Sequence, residues 1–581
     1  MMNKILVGFF LFSHFAFLLS AHAHNPATMK TGIGLTLSGG GAKGFAHIGV
    51  LHVIDSLDLK IDYVTGTSMG AVIGGMYSVG YSAKEIEEIA LSLDWENMFS
   101  RRSELVFTHP GKRDFHGKTM LELPIENWRF VIPSGAIEGQ QMWNTLGRLF
   151  FHVRNLDDFN QFPIPFACVA TDVSSGDAVV MQSGDIVKAI RASVAIPTVF
   201  TTVEREGKKL IDGGVSMNFP VMKAKEMGAG KVIGVNVSQG LRKADELQTP
   251  LDIIYQMGFY QGAQSLAENR RHTDLFIEPD MESYTAASFQ DVQAIIEQGK
   301  IAGRLHIEEF LKLKEEQPTD SATYEVSHND LRKIHDFVAD TLLFEGLNNV
   351  NTRFVRNAVS IQQGDTLNKE KLTSIVKKLY ATDYFHRVTY KFTPTENNIN
   401  GRLLFSFEEK PFGSFGAAIH YNNFAGVGLI GNLSTNKFFF FNTGAYLKVL
   451  VGEQPALKGG IDIFTGENQN NWINIEGLAQ YIEFPVFENF ENVTEYSQSY
   501  FRLESSFKSL TGPNSYFSGG TALYYQSLSP NLRTDFSVRG ILPPRNSSCD
   551  GTITASTAWL SPKVEPALIF IPSSFLTNTP R

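Results

Sequence analysis

Ile33-Gly-Leu-Thr-Leu-Ser38 runs into Gly39-Gly40-Gly41-Ala42-Lys43-Gly44 and then into Phe45-Ala-His-Ile-Gly-Val-Leu51. A short apolar run, a glycine-rich turn and a helical apolar run read as strand, tight turn and helix. The pattern repeats at once: Tyr63–Thr65 leads into Gly66-Thr67-Ser68-Met69-Gly70, and the small residues of Ala71–Val79 form the next helix. Phe166–Thr171 and Val232–Val237 read as further buried strands, and Ala83–Leu93 and Asp185–Val194 as helices between them. Strands alternating with helices predict an α/β domain built on a largely parallel sheet. The helical stretch Leu251–Glu316 closes that domain, which is expected to span residues 24–318.

The turn after the first strand has chemistry of its own. Adjacent glycines let successive N–H groups point into one cavity, and the helix start beyond them adds partial positive charge, so the loop suits an anion. That anion is either a phosphate or a developing oxyanion. Gly39, Gly41 and Gly44 also satisfy the G-x-G-x-x-G spacing of dinucleotide sites. Such sites need an acid at the end of the second strand. Asp62 stands at its start instead, and the end carries Gly66-Thr67-Ser68-Met69-Gly70.

Strand, G-x-S-x-G, helix is the pattern of a nucleophile elbow, in which Gly66 and Gly70 permit the sharp turn that presents the Ser68 hydroxyl. A serine needs a base. His272, His306 and His328 lie downstream, none at a strand end beside turn chemistry. Asp212, in Lys209-Leu-Ile-Asp212-Gly213-Gly214, has that placement. A turn-capping role for the same aspartate stays open on this reading.

The chain has 581 residues, 43% of them hydrophobic and 19% charged, which excludes global disorder and suits several domains. Lys and Arg number 51 against 60 Asp and Glu, a net charge of −9, so no nucleic-acid-binding surface is expected over the chain as a whole. Cys168 and Cys549 are the two cysteines, too few for a disulfide framework or a cysteine metal site. No metal and no cofactor are called for. Cys168 and His47 read as packed residues, and Lys43 either stabilises negative charge or covers its loop.

Lys4, the apolar stretch from Ile5 to Leu19 and Ala21-His22-Ala23 read as a secretory signal over residues 1–23, cleaved near His24. Nothing later is apolar enough for a membrane-spanning helix, so membrane residence would require a barrel. After a linker over 319–346, a small unit spans 347–411. Leu372, Ile375, Val376 and Leu379 give one helix face, and Val388, Tyr390 and Phe392 then alternate as a strand, with Leu403, Phe405 and Phe407 as the next. From 412 to 581 the texture is alternating strands: Phe501, Leu503, Ser505 and Phe507 share a face opposite Arg502, Glu504, Ser506 and Lys508. Alternation alone leaves an outer-membrane barrel and a soluble β-sandwich equally open; the export signal favours the barrel.

Gly39–Gly44, Gly66–Gly70 and Asp212-Gly213-Gly214, with Ala170-Thr171-Asp172 and Arg191-Ala-Ser-Val-Ala-Ile-Pro197, resemble the patatin-like phospholipases over about Thr31–Gly230. The resemblance implies an α/β serine esterase acting on phospholipids or other acyl esters. Ser68 is then the nucleophile and Asp212 the general base, with Gly39, Gly40, Gly41, Lys43 and Gly44 as the oxyanion loop. Gly364-Asp-Thr-Leu367 and the stretch through Val388 resemble a POTRA module. The strand region from 412 onward is similar to a bacterial surface-antigen barrel, giving the layout of a type V autotransporter held in the outer membrane, its hydrolase periplasmic or at the cell surface. Barrels of that kind have sixteen strands, whereas about eight candidates are present here, the last at Thr534–Gly540, so the barrel region is expected to be truncated. The competing expectation is an outer-membrane assembly or transport protein whose α/β domain binds lipid without catalysis.

Overall fold

The computed structural model describes residues 32–98, 121–317, 336–530 and 554–557, with short breaks inside the second and third stretches. The signal segment, His328 and Thr534–Gly540 lie outside the described residues. The chain forms two compact units. One comprises Met1–Ser92, Asp158–Ser183 and Asp212–Val326; the other comprises Leu93–Asp157, Gly184–Ile211 and Ser327–Arg581.

The first unit is built on parallel strands in the order Leu275–Ile277, Ala229–Val235, Gly32–Leu37, Tyr63–Thr67, Phe166–Asp172. Ala178–Met181 returns antiparallel along the last of these. The strands read from the sequence are all present, with ends shifted by up to three residues, and so are the helix Ala83–Ser92 in this unit and Ile186–Ser193 in the other. Leu35, Leu37, Val64, Phe166, Val232 and Ile233 are fully buried, as continuous apolar strands covered on both faces should be. From the central strand Gly32–Leu37 the chain moves first to one side and later to the other. That reversal makes a switch point, and the crevice at the carboxyl ends of the strands is where such sheets bind ligands.

In the second unit a four-stranded sheet runs in the order Thr366–Leu367, Phe337–Glu345, Asn400–Glu409, Phe385–Pro394. Its core joins Phe337, Phe385, Phe392, Leu403 and Phe405 to Leu372, Ile375, Val376 and Leu379 of the helix Lys369–Tyr380. The helical face read from the sequence is therefore the buried one. Two elements go beyond that reading. Phe337–Glu345 falls in the stretch assigned as linker, yet it lies parallel to Asn400–Glu409 inside the sheet. Thr352–Val359 is a second helix, capped by the Asn351 side chain, which accepts from the Arg353 N–H at 2.8 Å.

From Gly413 the strands form an antiparallel meander: Gly413–Asn422, Gly426–Thr435, Thr443–Gly452, Ala456–Thr465, Asn471–Glu488, Glu491–Gly512 and Ser515–Pro530, with Thr554–Thr557 beyond. Leu429, Leu447, Ile473, Ile475, Phe501, Leu503 and Phe507 point outward from one face and are exposed. The other face is polar and internally bonded. Glu476 lies 2.9 Å from both Lys458 and Arg502, and Asn474 donates to Asp462 at 2.9 Å. An apolar outer face over a bonded polar face inverts the arrangement of a water-soluble sheet. The far neighbour of Gly413–Asn422 is Leu121–Glu126, a segment that the sequence reading places inside the hydrolase domain. Among the described residues no helix is long and apolar enough to cross a membrane.

Candidate active site

Ser68, Asp212 and the glycine loop, all of the first unit, come together in the crevice. Tyr63–Thr67 ends at Ser68, whose φ of 52° and ψ of −124° lie in a region that side-chain-bearing residues rarely occupy. The turn is possible because of its flanks. A Cβ on Gly66 would stand 2.4 Å from the Gly70 carbonyl oxygen, and one on Gly70 would stand 2.3 Å from that of Leu37. The helix Met69–Ser78 begins immediately after, its positive end at the serine.

Lys208–Asp212 delivers the aspartate. The Ser68 hydroxyl donates to Asp212 Oδ2 at 2.7 Å, and the Gly214 N–H donates to Oδ1 at 2.7 Å. Both side chains are buried, Ser68 with 7% and Asp212 with 2% of their surface exposed. Burial raises the Asp212 carboxyl to about 6 against the pull of the two hydrogen bonds. The capping geometry and the pairing with Ser68 thus coexist in one carboxylate, one oxygen for each. His272 and His306 are not in this cluster; His306 faces Glu309 at 3.3 Å.

The glycine loop passes on the other side of Ser68. Gly39 N–H donates to the Asn218 carbonyl at 3.3 Å and Ala42 N–H to that of Ala286 at 2.9 Å. Between them, the N–H groups of Gly40 and Gly41 take no acceptor among the described residues. Gly41 has φ +59°, and a Cβ there would lie 2.4 Å from Ala286 O. Gly44 lets Met69 approach, since its Cβ would fall 2.4 Å from Met69 Cγ. Lys43 is half-buried in the same loop. Burial lowers His47 to about 4, so it is neutral at physiological pH; its Nε2–H donates to the Ser38 carbonyl at 2.8 Å, a packed residue that holds the strand-to-loop corner. Cys168 is a buried free thiol.

Asp62 accepts from the Ile33 N–H at 2.7 Å, at the opposite end of the sheet from the glycine loop, away from where a ribose would lie. Among the described residues no acidic, histidine or cysteine cluster could hold a metal.

Several neighbours of the site carry no motif. The Thr171 hydroxyl donates to the Asp212 carbonyl at 2.9 Å and pairs with the Ser216 hydroxyl at 2.7 Å. Asn218 bonds Gly39 through both backbone and side chain. The Phe259 ring lies close to Gly214, where a Cβ would stand 3.2 Å from its Cε1. Thr171 stands out in the sequence only as part of a longer motif; Asn218 and Phe259 have no signal there beyond nearness to Asp212 or a helix start.

Residues 35–225 match the family model described as patatin-like phospholipase, and residues 341–410 match the POTRA model, described as surface antigen variable number repeat. An uncharacterized NTE family protein of Mycobacterium bovis is 31% identical over 206 residues, covering 36% of this chain and 49% of that one. Lysophospholipase NTE1 of Lodderomyces elongisporus is 26% identical over 220 residues, covering 38% of this chain and 13% of that one. The chain thus spans half or less of the length of these relatives. Of solved structures, BamA from Haemophilus ducreyi lacking POTRA domains 1-3 aligns with TM-score 0.30 and 12% identity, over 38% of this chain and 42% of that one. This chain carries a patatin-like phospholipase domain and, C-terminal to it, a POTRA module.

Proposed function

We propose that the protein is a serine lipid acyl hydrolase working through a Ser68–Asp212 dyad, exported and held at the outer membrane by its C-terminal strands. The single observation that carries the hydrolase reading is the 2.7 Å bond from the strained Ser68 hydroxyl to a buried Asp212 carboxylate. Asp212 takes the Ser68 proton as the serine oxygen attacks the ester carbonyl. The oxyanion then sits against the N–H groups of Gly40 and Gly41, each such donor contributing about 3–4 kcal/mol in comparable sites. Collapse of the tetrahedral intermediate expels the alcohol, which takes the proton from Asp212. A water molecule then gives its proton to Asp212 and cleaves the acyl-serine, releasing the fatty acid and returning the proton to Ser68. With an affinity near 6, Asp212 is ionised at neutral pH yet far more basic than an exposed aspartate.

The outer-membrane reading rests on the signal-like N-terminus together with the apolar outer face of the meander. The test is phospholipid and short-chain ester hydrolysis by the full chain beside Ser68→Ala and Asp212→Asn. The full chain is needed because Leu93–Asp157 and Gly184–Ile211 cluster with the C-terminal unit. Both variants are expected to fold and to lose turnover. A folded wild type inert to substrate and to a fluorophosphonate would leave a lipid-binding domain without catalysis.

A further inference from the structure

An acyl-serine cleaved by water makes a demand that an alcohol does not. One O–H of the water gives its proton to the base, and the other has to be held if a lone pair is to face the acyl carbon. Asn218, which lies with the dyad and the glycine loop in the first unit, has an acceptor in place for it. A Cβ on Gly39 would stand 2.5 Å from Asn218 Oδ1 and 3.0 Å from Ser68 Cβ. A Cβ on Gly214 would stand 3.0 Å from the same Oδ1 and 3.1 Å from Asp212 Oδ1. The amide oxygen therefore has the nucleophile on one side and the base on the other, and glycine at both adjoining positions puts no side chain between them. That oxygen accepts from no donor among the described residues.

The place of Asn218 does not depend on its side chain. The Gly39 N–H donates to its main-chain carbonyl at 3.3 Å. On either side, the Met217 carbonyl accepts from the Thr67 hydroxyl at 2.9 Å and the Pro220 carbonyl from the Thr65 hydroxyl at 3.2 Å. The side-chain bond, from Nδ2 to the Gly39 carbonyl, is long at 3.4 Å and serves to fix which way the amide faces. We propose that Asn218 is a catalytic residue of the second half-reaction: its Oδ1 accepts one O–H of the hydrolytic water while Asp212 accepts the other, which favours water over alcohols as the acyl acceptor. The water oxygen bonds the acyl carbon, one proton passes to Asp212, the bond from that carbon to Ser68 breaks, and the proton returns to Ser68. The fatty acid leaves with the hydrogen that Asn218 held. An alcohol has a single O–H, which Asp212 takes, and makes no use of Asn218. The inference deepens the hydrolase reading and rests on it.

The experiment uses the full chain and p-nitrophenyl butyrate in buffer with graded methanol. Release of p-nitrophenol reads acylation, and the ratio of butyric acid to methyl butyrate reads the choice of acceptor. Asn218→Leu is expected to release the first equivalent of p-nitrophenol at near the wild-type rate and then to turn over slowly, with the acid-to-ester ratio lowered about tenfold. Asn218→Asp keeps an acceptor oxygen and loses the donor to Gly39. It should keep the wild-type ratio, because any change it makes to Asp212 affects both acceptors alike. An unchanged ratio in Asn218→Leu overturns the proposal and leaves Asn218 as a support of the glycine loop, since a displaced oxyanion loop slows attack by water and by methanol equally. A ratio lowered as far in Asn218→Asp as in Asn218→Leu overturns it too. Fluorophosphonate labelling counts the folded sites in each variant, and Asn218→Ala, with the same expected ratio, replaces Asn218→Leu if that variant labels none. A wild type that neither labels nor releases p-nitrophenol sinks the hydrolase reading itself, an outcome separate from these.

Discussion

Acidification tests the dyad most directly. Burial lifts Asp212 to about 6, some two units above an exposed aspartate, so holding it ionised inside the fold costs about 3 kcal/mol. A raised affinity means the folded chain keeps this proton where the unfolded chain has already released it. Stability therefore falls as pH rises from about 4 to about 6 and stays level above. Reactivity runs the other way, because only the ionised carboxylate can accept the Ser68 proton. With a midpoint near 6, about nine-tenths of the molecules are competent at about pH 7 and about one-tenth at about pH 5, a roughly tenfold fall in rate. An aspartate of ordinary affinity would lose almost nothing over that interval. The assay is the rate of fluorophosphonate labelling of Ser68 in the full chain, with intactness tracked by circular dichroism. A flat profile between about pH 5 and 7.5, in folded protein, would refute the assignment of Asp212 as a buried base.

The same geometry sets three further outcomes. Gly70→Ala places a methyl 2.3 Å from the Leu37 carbonyl, and backbone must move at the elbow; labelling should fall at least a hundredfold, and a variant that labels normally would sink the close-packed elbow. Gly262→Ala sets a methyl 1.9 Å from the Gly214 carbonyl, displacing the turn whose N–H holds Asp212; turnover should drop by ten- to a hundredfold, measured beside thermal unfolding, and wild-type turnover would count against that turn's role. Phe507→Arg puts a charge on the exposed apolar face of the meander, at a cost of about 2–4 kcal/mol if that face meets the bilayer midplane. Urea extraction of isolated outer membranes should then release the variant earlier than the wild type; identical behaviour would argue against lipid contact there.

Much of the site is legible because its chemistry is local. An elbow needs glycine on both sides of Ser68, and the loop before it needs glycines for its N–H groups to converge, so both leave marks within a few residues. Asp212 is marked by a strand end and two glycines. Asn218 and Phe259 are not, because they meet Gly39 and Gly214 from distant stretches of the chain, and no short spacing records that. The same holds for Phe337–Glu345. Its alternation is weak, its partner lies some sixty positions away, and proximity to a polar stretch makes it read as linker. Gln140 is invisible for a different reason: its amide bonds the main chain of Val388, donating to the carbonyl and accepting from the N–H at 2.9 Å each, so no side-chain pattern on the POTRA strand marks the contact.

The pairing of Leu121–Glu126 with Gly413–Ala417 bears on the order of events during synthesis. The two strands are separated by roughly 290 positions, so a chain made from its N-terminus at about 5–20 residues per second has the first strand ready some 15–60 s before its partner exists. Closing so long a loop also carries an entropy cost of about 5 kcal/mol, which makes this junction a late step. Through that wait the strand is an open edge of the kind that recruits wrong partners. Pro124, at its middle, has no N–H to offer, and its carbonyl accepts from Val131 at 2.8 Å, so the proline blunts the edge that Arg129–Phe130 lines and leaves the edge toward Gly413–Ala417 open. The early-born strand is thereby closed on one side and left, on the other, to a partner that arrives last.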